Sequence, residues 1–148
     1  MPEKETIERA REDAREGKSP STQAGEFVRE EIHHIREGKH GASSTKQAIA
    51  IGLSKARRAG VKLGTPKKGT VSERTRKAAA RDTKKAKSRK KKSVRRSRAM
   101  LKRLKREGRS AASPRALARQ AKSSARRRGP AKRKAAAKKA ARTRARKR

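Results

Sequence analysis

The chain has no cysteine, tryptophan, tyrosine or asparagine, and its one aromatic ring is Phe27. Without cysteine, disulfides, thiolate metal sites and cysteine nucleophiles are excluded. A lone ring cannot form the aromatic platform that stacks the bases of a single strand. No apolar run approaches the roughly 18 residues that cross a bilayer, so no membrane partner is expected. The first residues, Met1-Pro2-Glu3-Lys4-Glu5, are acidic where a secretory signal would be apolar, and a reducing, cytoplasmic location follows as the expectation. Bulky side chains are scarce as well: 26 residues are Ala and only 17 are Val, Ile, Leu, Met or Phe. Charged residues make up 43% of the chain, against about a quarter in ordinary domains. One compact core running through all 148 residues is excluded, because so little apolar surface cannot offset the ordering entropy.

Positive charge is what the chain has in abundance, with 50 Lys or Arg against 13 Asp or Glu and a net charge of +37. Its distribution is uneven. Residues 1–37 hold ten acids and seven bases, residues 38–64 add six bases and no acid, and residues 65–148 carry 37 bases against Glu73, Asp82 and Glu107. The break falls at Gly64-Thr65-Pro66-Lys67-Lys68-Gly69, where Gly and Pro punctuate regular structure. The expected fold class is mainly α: a small helical head, built as a helical hairpin, with a long cationic tail that is disordered or partly helical. The expected parts are a charged N-terminal helix over 1–18, the hairpin over 19–64, and a Lys/Arg/Ala-rich nucleic-acid-binding tail over 65–148.

End signals place the helices. Residues 3–16 stop at Gly17 and show almost no apolar face. Ser19-Pro20-Ser21-Thr22 suits a helix start, with a hydroxyl cap and Pro in the first turn, and that helix ends at Gly38. Ala24, Phe27, Val28, Ile32 and Ile35 share one stripe, with Arg29, Glu30 and Arg36 pointing elsewhere. In the third helix Ser44 and Gln47 have capping-box spacing. Gly60 followed by Val61 fits a Schellman stop. Ala48, Gly52 and Ala56 would let a partner helix approach closely. Nine bulky residues between Phe27 and Leu63 are few for a free-standing monomer, so a homodimer through the apolar stripes over residues 24–53 is also expected. Beyond residue 64, Ser72 can cap a segment toward Gly108, Ser113-Pro114 opens another toward Gly129, and a third follows Pro130. Like-charge repulsion along these segments predicts disorder in the free state and helix once phosphates neutralise the charge.

The polycation points to duplex nucleic acid, because Lys and Arg contacts to phosphates release condensed counterions. The expected phosphate contacts are Lys67, Lys68, Lys84, Lys85, Arg89, Lys90, Lys91, Lys92, Arg95, Arg96, Arg126, Arg127, Arg128, Lys132, Arg133, Lys134, Lys138 and Lys139. Lys46, Lys55, Arg57 and Arg58 are candidate contacts from the head. Binding should be blind to sequence, since base reading needs a few side chains held rigidly at groove edges. Thr65-Pro66-Lys67-Lys68 is a turn that could set its cations along the walls of a minor groove, whereas Ser113-Pro114 reads first as a helix cap. His33, His34 and His40, with Glu30 or Glu37, invite a metal reading, but their spacing lacks the tight pairing of zinc sites. Surface or phosphate-contacting histidines are expected, with no metal and no cofactor. With no Gly-rich phosphate loop, no paired buried carboxylates and too little core to exclude water from a site, no enzymatic activity is expected.

The segment Ala135-Ala136-Ala137-Lys138-Lys139-Ala140-Ala141, together with the Thr65-Pro66 turn, resembles the C-terminal tails of linker histones and of bacterial histone-like proteins. That likeness is compositional, covers about residues 65–148, and implies DNA condensation without the winged-helix domain of linker histones. Separately, Glu26-Phe27-Val28-Arg29-Glu30-Glu31 and the run Lys46 to Arg57 resemble a family of small basic bacterial proteins of unknown function. This second likeness covers about residues 20–68; its members are loosely labelled DNA-binding and end in similar tails. The expectation is a sequence-nonspecific, histone-like protein of the bacterial nucleoid that coats or condenses duplex DNA. The alternatives are an RNA- or ribosome-associated basic protein, and a protein-interaction adaptor localised by its tail.

Overall fold

The computed structural model describes residues 2–86 and 93–146. Among them are six α-helices, one short 3-10 turn and no strand: α1 (Lys4–Arg15), α2 (Pro20–Arg36), α3 (Thr45–Arg58), α4 (Glu73–Ala86), α5 (Val94–Lys105), the turn Ser110–Ala112, and α6 (Pro114–Ala145). The mainly α class is as the sequence predicts. Two compact units result, Met1–Ala112 and Ser113–Arg148. The composition changes at residue 64, while the packing divides at Ala112/Ser113.

The helix starts follow the hydroxyl caps. Ser19, Ser44, Ser93 and Ser113 each accept a hydrogen bond from the backbone N–H three residues on. Gln47 completes its box one residue early, accepting from Ser43 N at 2.7 Å. At the end of α3, Val61 N–H bonds Ala56 O and Gly60 N–H bonds Arg57 O, both at 3.1 Å, which is the Schellman pattern. Gly60 holds φ at 97°, a left-handed value that a β-carbon would oppose. Val61 then folds back onto the core formed by Ala10, Ala24, Phe27 and Ala56.

The first unit is centred on α2, which packs against both α1 and α3. Phe27 and Ile35 are essentially inaccessible, so the stripe expected over 24–53 is largely covered within the one chain. The approach of α2 and α3 is set by Gly52, where a β-carbon would lie 2.7 Å from Val28 Cα and 3.0 Å from Phe27 O. Ala48 and Ala56 beside it are fully buried, as small residues at a close crossing must be. Glu30, expected to point away from the stripe, is instead buried at 4% exposure. The reason is local: Glu3 N–H donates to its carboxylate at 3.1 Å and Lys55 Nζ at 3.1 Å. The helix α1 docks through Thr6, Ile7 and Ala10, and Arg9 Nε donates to Glu26 at 2.8 Å.

Residues beyond 64 also build this unit. On α4, Ala79 is buried, and Asp82 accepts from Ser54 Oγ at 2.7 Å on α3. The α2–α3 connection is stitched to the end of α5, with Gly41 N–H to Leu104 O at 2.9 Å and Ala42 N–H to Gly108 O at 3.1 Å. A β-carbon at Gly41 would overlap the Glu107 carbonyl. Thr45 Oγ1 donates to Ala111 O at 2.7 Å, and Arg36 Nε to Ala112 O at 2.9 Å. The second unit is α6 alone, with no buried residue and a kink at Gly129, whose φ of 75° and ψ of 166° precede Pro130. Proline supplies no N–H and disfavours helix at the residue before it, so the break lies where the sequence places it.

Candidate nucleic-acid interface

Cations in this chain stand in two environments. Ten of the thirteen acidic side chains lie within 4 Å of a cationic partner or histidine among the described residues. Six cations of the first unit, Arg9, Lys18, Lys39, Lys55, Arg58 and Arg76, are drawn into these pairs. Lys55 stands 3.1 Å from Glu30 and 2.7 Å from Glu31. Arg58 lies 3.4 Å from Asp82. Arg57 is 8% exposed, and its Nε has no hydrogen-bond partner. Burial pushes its guanidinium toward the neutral form, opposed by the charge of Asp82. Of the four head cations considered from sequence, Lys46 alone is both exposed and outside the ion pairs among the described residues.

Lys67 and Lys68 lie in an exposed turn closed by Thr70, which donates from its hydroxyl to Lys67 O at 2.7 Å. Lys84 and Lys85 are exposed in the last turn of α4, and Arg95 and Arg96 in the first turn of α5. Arg89, Lys90, Lys91 and Lys92 fall outside the described residues. Arg126, Arg127 and Arg128 precede the kink of α6, and Lys132, Arg133, Lys134, Lys138 and Lys139 follow it, all exposed.

Over its 32 residues α6 carries thirteen Lys or Arg and no acid. At about 1.5 Å per residue it is roughly 48 Å long, or about 3.7 Å of axis per cation. Phosphates follow one another at about 3.4 Å along one strand of a duplex. Arg115, Arg119, Lys122 and Arg126 form one line at helical spacing before the kink. No ion pair engages any of these side chains among the described residues.

Two of the three histidines form a second grouping, and its carboxylate is Glu31, where the sequence suggested Glu30 or Glu37. His33 is exposed as expected, but the side chains of His34 and His40 are only 12% and 10% exposed and converge on Glu31. Glu3 lies against His34 at 2.8 Å and Lys39 at 3.3 Å, and these two bonds hold its carboxyl below the ordinary range. Burial pushes the Glu30 carboxyl up, yet the Glu3 N–H, Lys55 and Thr6 outweigh it and hold it low. Adjacent His33 and His34 point apart on a helix, so the signal was the pair Glu31 and His34, three residues apart on one face.

Residues 5–69 match the model of a family of unknown function, DUF6496. That span encloses both segments, Glu26–Glu31 and Lys46–Arg57, on which the resemblance rests. No curated protein and no solved structure matches the chain. No described helix is long and apolar enough to cross a membrane.

Proposed function

We propose that this protein is a non-enzymatic, sequence-nonspecific DNA-binding protein of the histone-like kind, which coats duplex DNA in the bacterial nucleoid. One observation carries the reading: α6 presents thirteen cations with no acid and no buried residue. Such a helix has no internal use for its charge. Each contact between these cations and a phosphate would return a condensed counterion to bulk solvent. Arg and Lys suit phosphate walls, whereas the base-reading amides are nearly absent, with Gln120 the one example on α6. The exposed cations at Lys67, Lys68, Lys84, Lys85, Arg95 and Arg96 would extend the contact from the first unit. The Lys/Arg/Ala composition shared with linker-histone tails supports the same reading.

The test is duplex affinity of the full chain as a function of salt. If six cations of α6 meet phosphates, log K falls against log [NaCl] with a slope of about −5, equal for unrelated sequences. A slope near zero removes the proposal. Structured RNA competing tenfold better than duplex DNA at fixed salt would move the assignment to an RNA-associated protein.

A further inference from the structure

We propose that Glu31, His34 and His40 form a binding site for one divalent transition-metal ion of the zinc class. The three residues offer ligand atoms that all lie within 4.8 Å of one another. Glu31 is fully buried, and neither carboxylate oxygen accepts a well-aligned hydrogen bond. Lys55 Nζ forms an ion pair with Oε2 at 2.7 Å, which leaves Oε1 turned to His40 Nε2 at 3.3 Å.

Hydrogen-bond directions fix the protons on the two rings. His40 Nδ1 lies 3.0 Å from Gly41 O, and a carbonyl only accepts, so Nδ1 carries the proton. His34 Nε2 lies 2.8 Å from the Glu3 carboxylate and donates for the same reason. A neutral His40 therefore aims a lone pair at Glu31, and a neutral His34 aims its Nδ1 lone pair toward Glu30 Oε1, 3.9 Å away. With neutral rings acceptor faces acceptor, and either a metal cation between them or a second proton on the ring relieves the clash. Around one tetrahedral zinc, with bonds of about 2.0–2.2 Å, ligand atoms sit about 3.3–3.6 Å apart, and His40 Nε2 and Glu31 Oε1 are 3.3 Å apart. The outward bonds to Gly41 O and Glu3 are the supporting partners that metal-binding imidazoles need.

Four carboxylates, Glu3, Glu30, Glu31 and Glu37, lie around Lys39 and Lys55, with Arg9 and Arg29 lining the adjoining cavity. The rings meet edge to face with centroids 6.3 Å apart. A cavity of about 170 Å³ opens on the His34 side, lined by Glu3, Glu30, His34 and Lys39 among others but by neither Glu31 nor His40. Two imidazoles and a carboxylate leave a fourth position for water. A bound ion would clip the α2–α3 connection to α2, beneath the start of α1. The site is independent of the DNA-binding reading, since none of its ligands is a proposed phosphate contact.

The test uses the full chain, stripped of metal, titrated with Zn²⁺ by calorimetry and with Co²⁺ by visible absorption. One ion per chain, a four-coordinate Co²⁺ spectrum and a higher melting temperature are expected. His34→Ala and His40→Ala should each lower affinity by at least tenfold, Glu3→Gln by about tenfold through its bond to the His34 ring, and His33→Ala not at all. Circular dichroism checks that each variant is folded. In the unaltered protein, zinc should shift the ring resonances of His34 and His40 and leave those of His33. Absence of stoichiometric binding, equal binding after His34→Ala/His40→Ala, or His34 and His40 rings that stay doubly protonated with zinc present would each overturn the proposal.

Discussion

The two units put the same side chains to opposite use. In Met1–Ala112 all thirteen acids of the chain are found, and the cations nearest them are bound into pairs that position helices. In Ser113–Arg148 there is no acid, and α6 buries nothing. An Arg on α3 is thus a packing element, while an Arg on α6 is a solvated charge. Net charge alone does not separate them, because the first unit is itself positive overall. What sets Lys55 and Arg58 apart from the cations of α6 is a carboxylate within reach.

The contrast between the units is sharpest at Lys55. Replacing it by Met leaves Glu30 and Glu31 buried without their ammonium, which should cost about 3–5 kcal/mol of unfolding free energy. Urea denaturation measures it. A loss under about 1 kcal/mol, the range of exposed pairs, would mean that the pair is a surface contact like any other. Duplex affinity, by contrast, should be nearly unchanged while the variant stays folded.

The mirror experiment removes Ser113–Arg148, leaving the unit that ends at Ala112. Duplex affinity should fall about a hundredfold to a thousandfold at about 150 mM salt, and the salt slope should become shallower by about 0.9 for each phosphate that is no longer neutralised. Thermal stability of the first unit should stay the same. If affinity survives the deletion, the exposed cations of α4 and α5 carry the binding.

A smaller effect tests the helix crossing. Gly52→Ala forces a methyl group to within 2.7 Å of Val28 Cα, so α2 and α3 must move apart. Overpacking of this kind costs about 1–3 kcal/mol, visible as a lower melting temperature with DNA binding intact.

These magnitudes follow the line between what the sequence made legible and what it did not. Ser19, Ser44, Gly60 and Val61 act through neighbours within six residues, and the close approach at Ala48, Gly52 and Ala56 is a matter of residue size. All of these could be read directly. The docking of α1 through Ile7 and Ala10 was obscured because two apolar residues three apart make a weak stripe among four acids. The pairs Lys55–Glu31 and Arg58–Asp82 join residues 24 apart, and their existence depends on a helix crossing that no periodicity specifies. Gly41 N–H and Thr45 Oγ1 bond backbone carbonyls more than sixty residues away, which leave no side-chain signature at all. The convergence of His34 and His40 on Glu31 is hidden for the same reason, since a loop of open length brings the second ring back.

Arg57 gives the finest test of the difference between the units. Its side chain is buried on α3, its Nε lacks a partner, and Asp82 already pairs with Arg58 and Ser54. A guanidinium in that position gives up hydration without recovering a full set of bonds. Replacing such a group by an apolar one of similar volume is commonly neutral or stabilising, by up to a few kcal/mol. Arg57→Met should therefore leave stability within about 1 kcal/mol of the unaltered protein or raise it, and duplex affinity should change by less than about twofold. A clear loss of affinity would show that Arg57 turns outward to phosphate in the complex. Helix α3 would then join α6 and the exposed cations of α4 and α5 in that role.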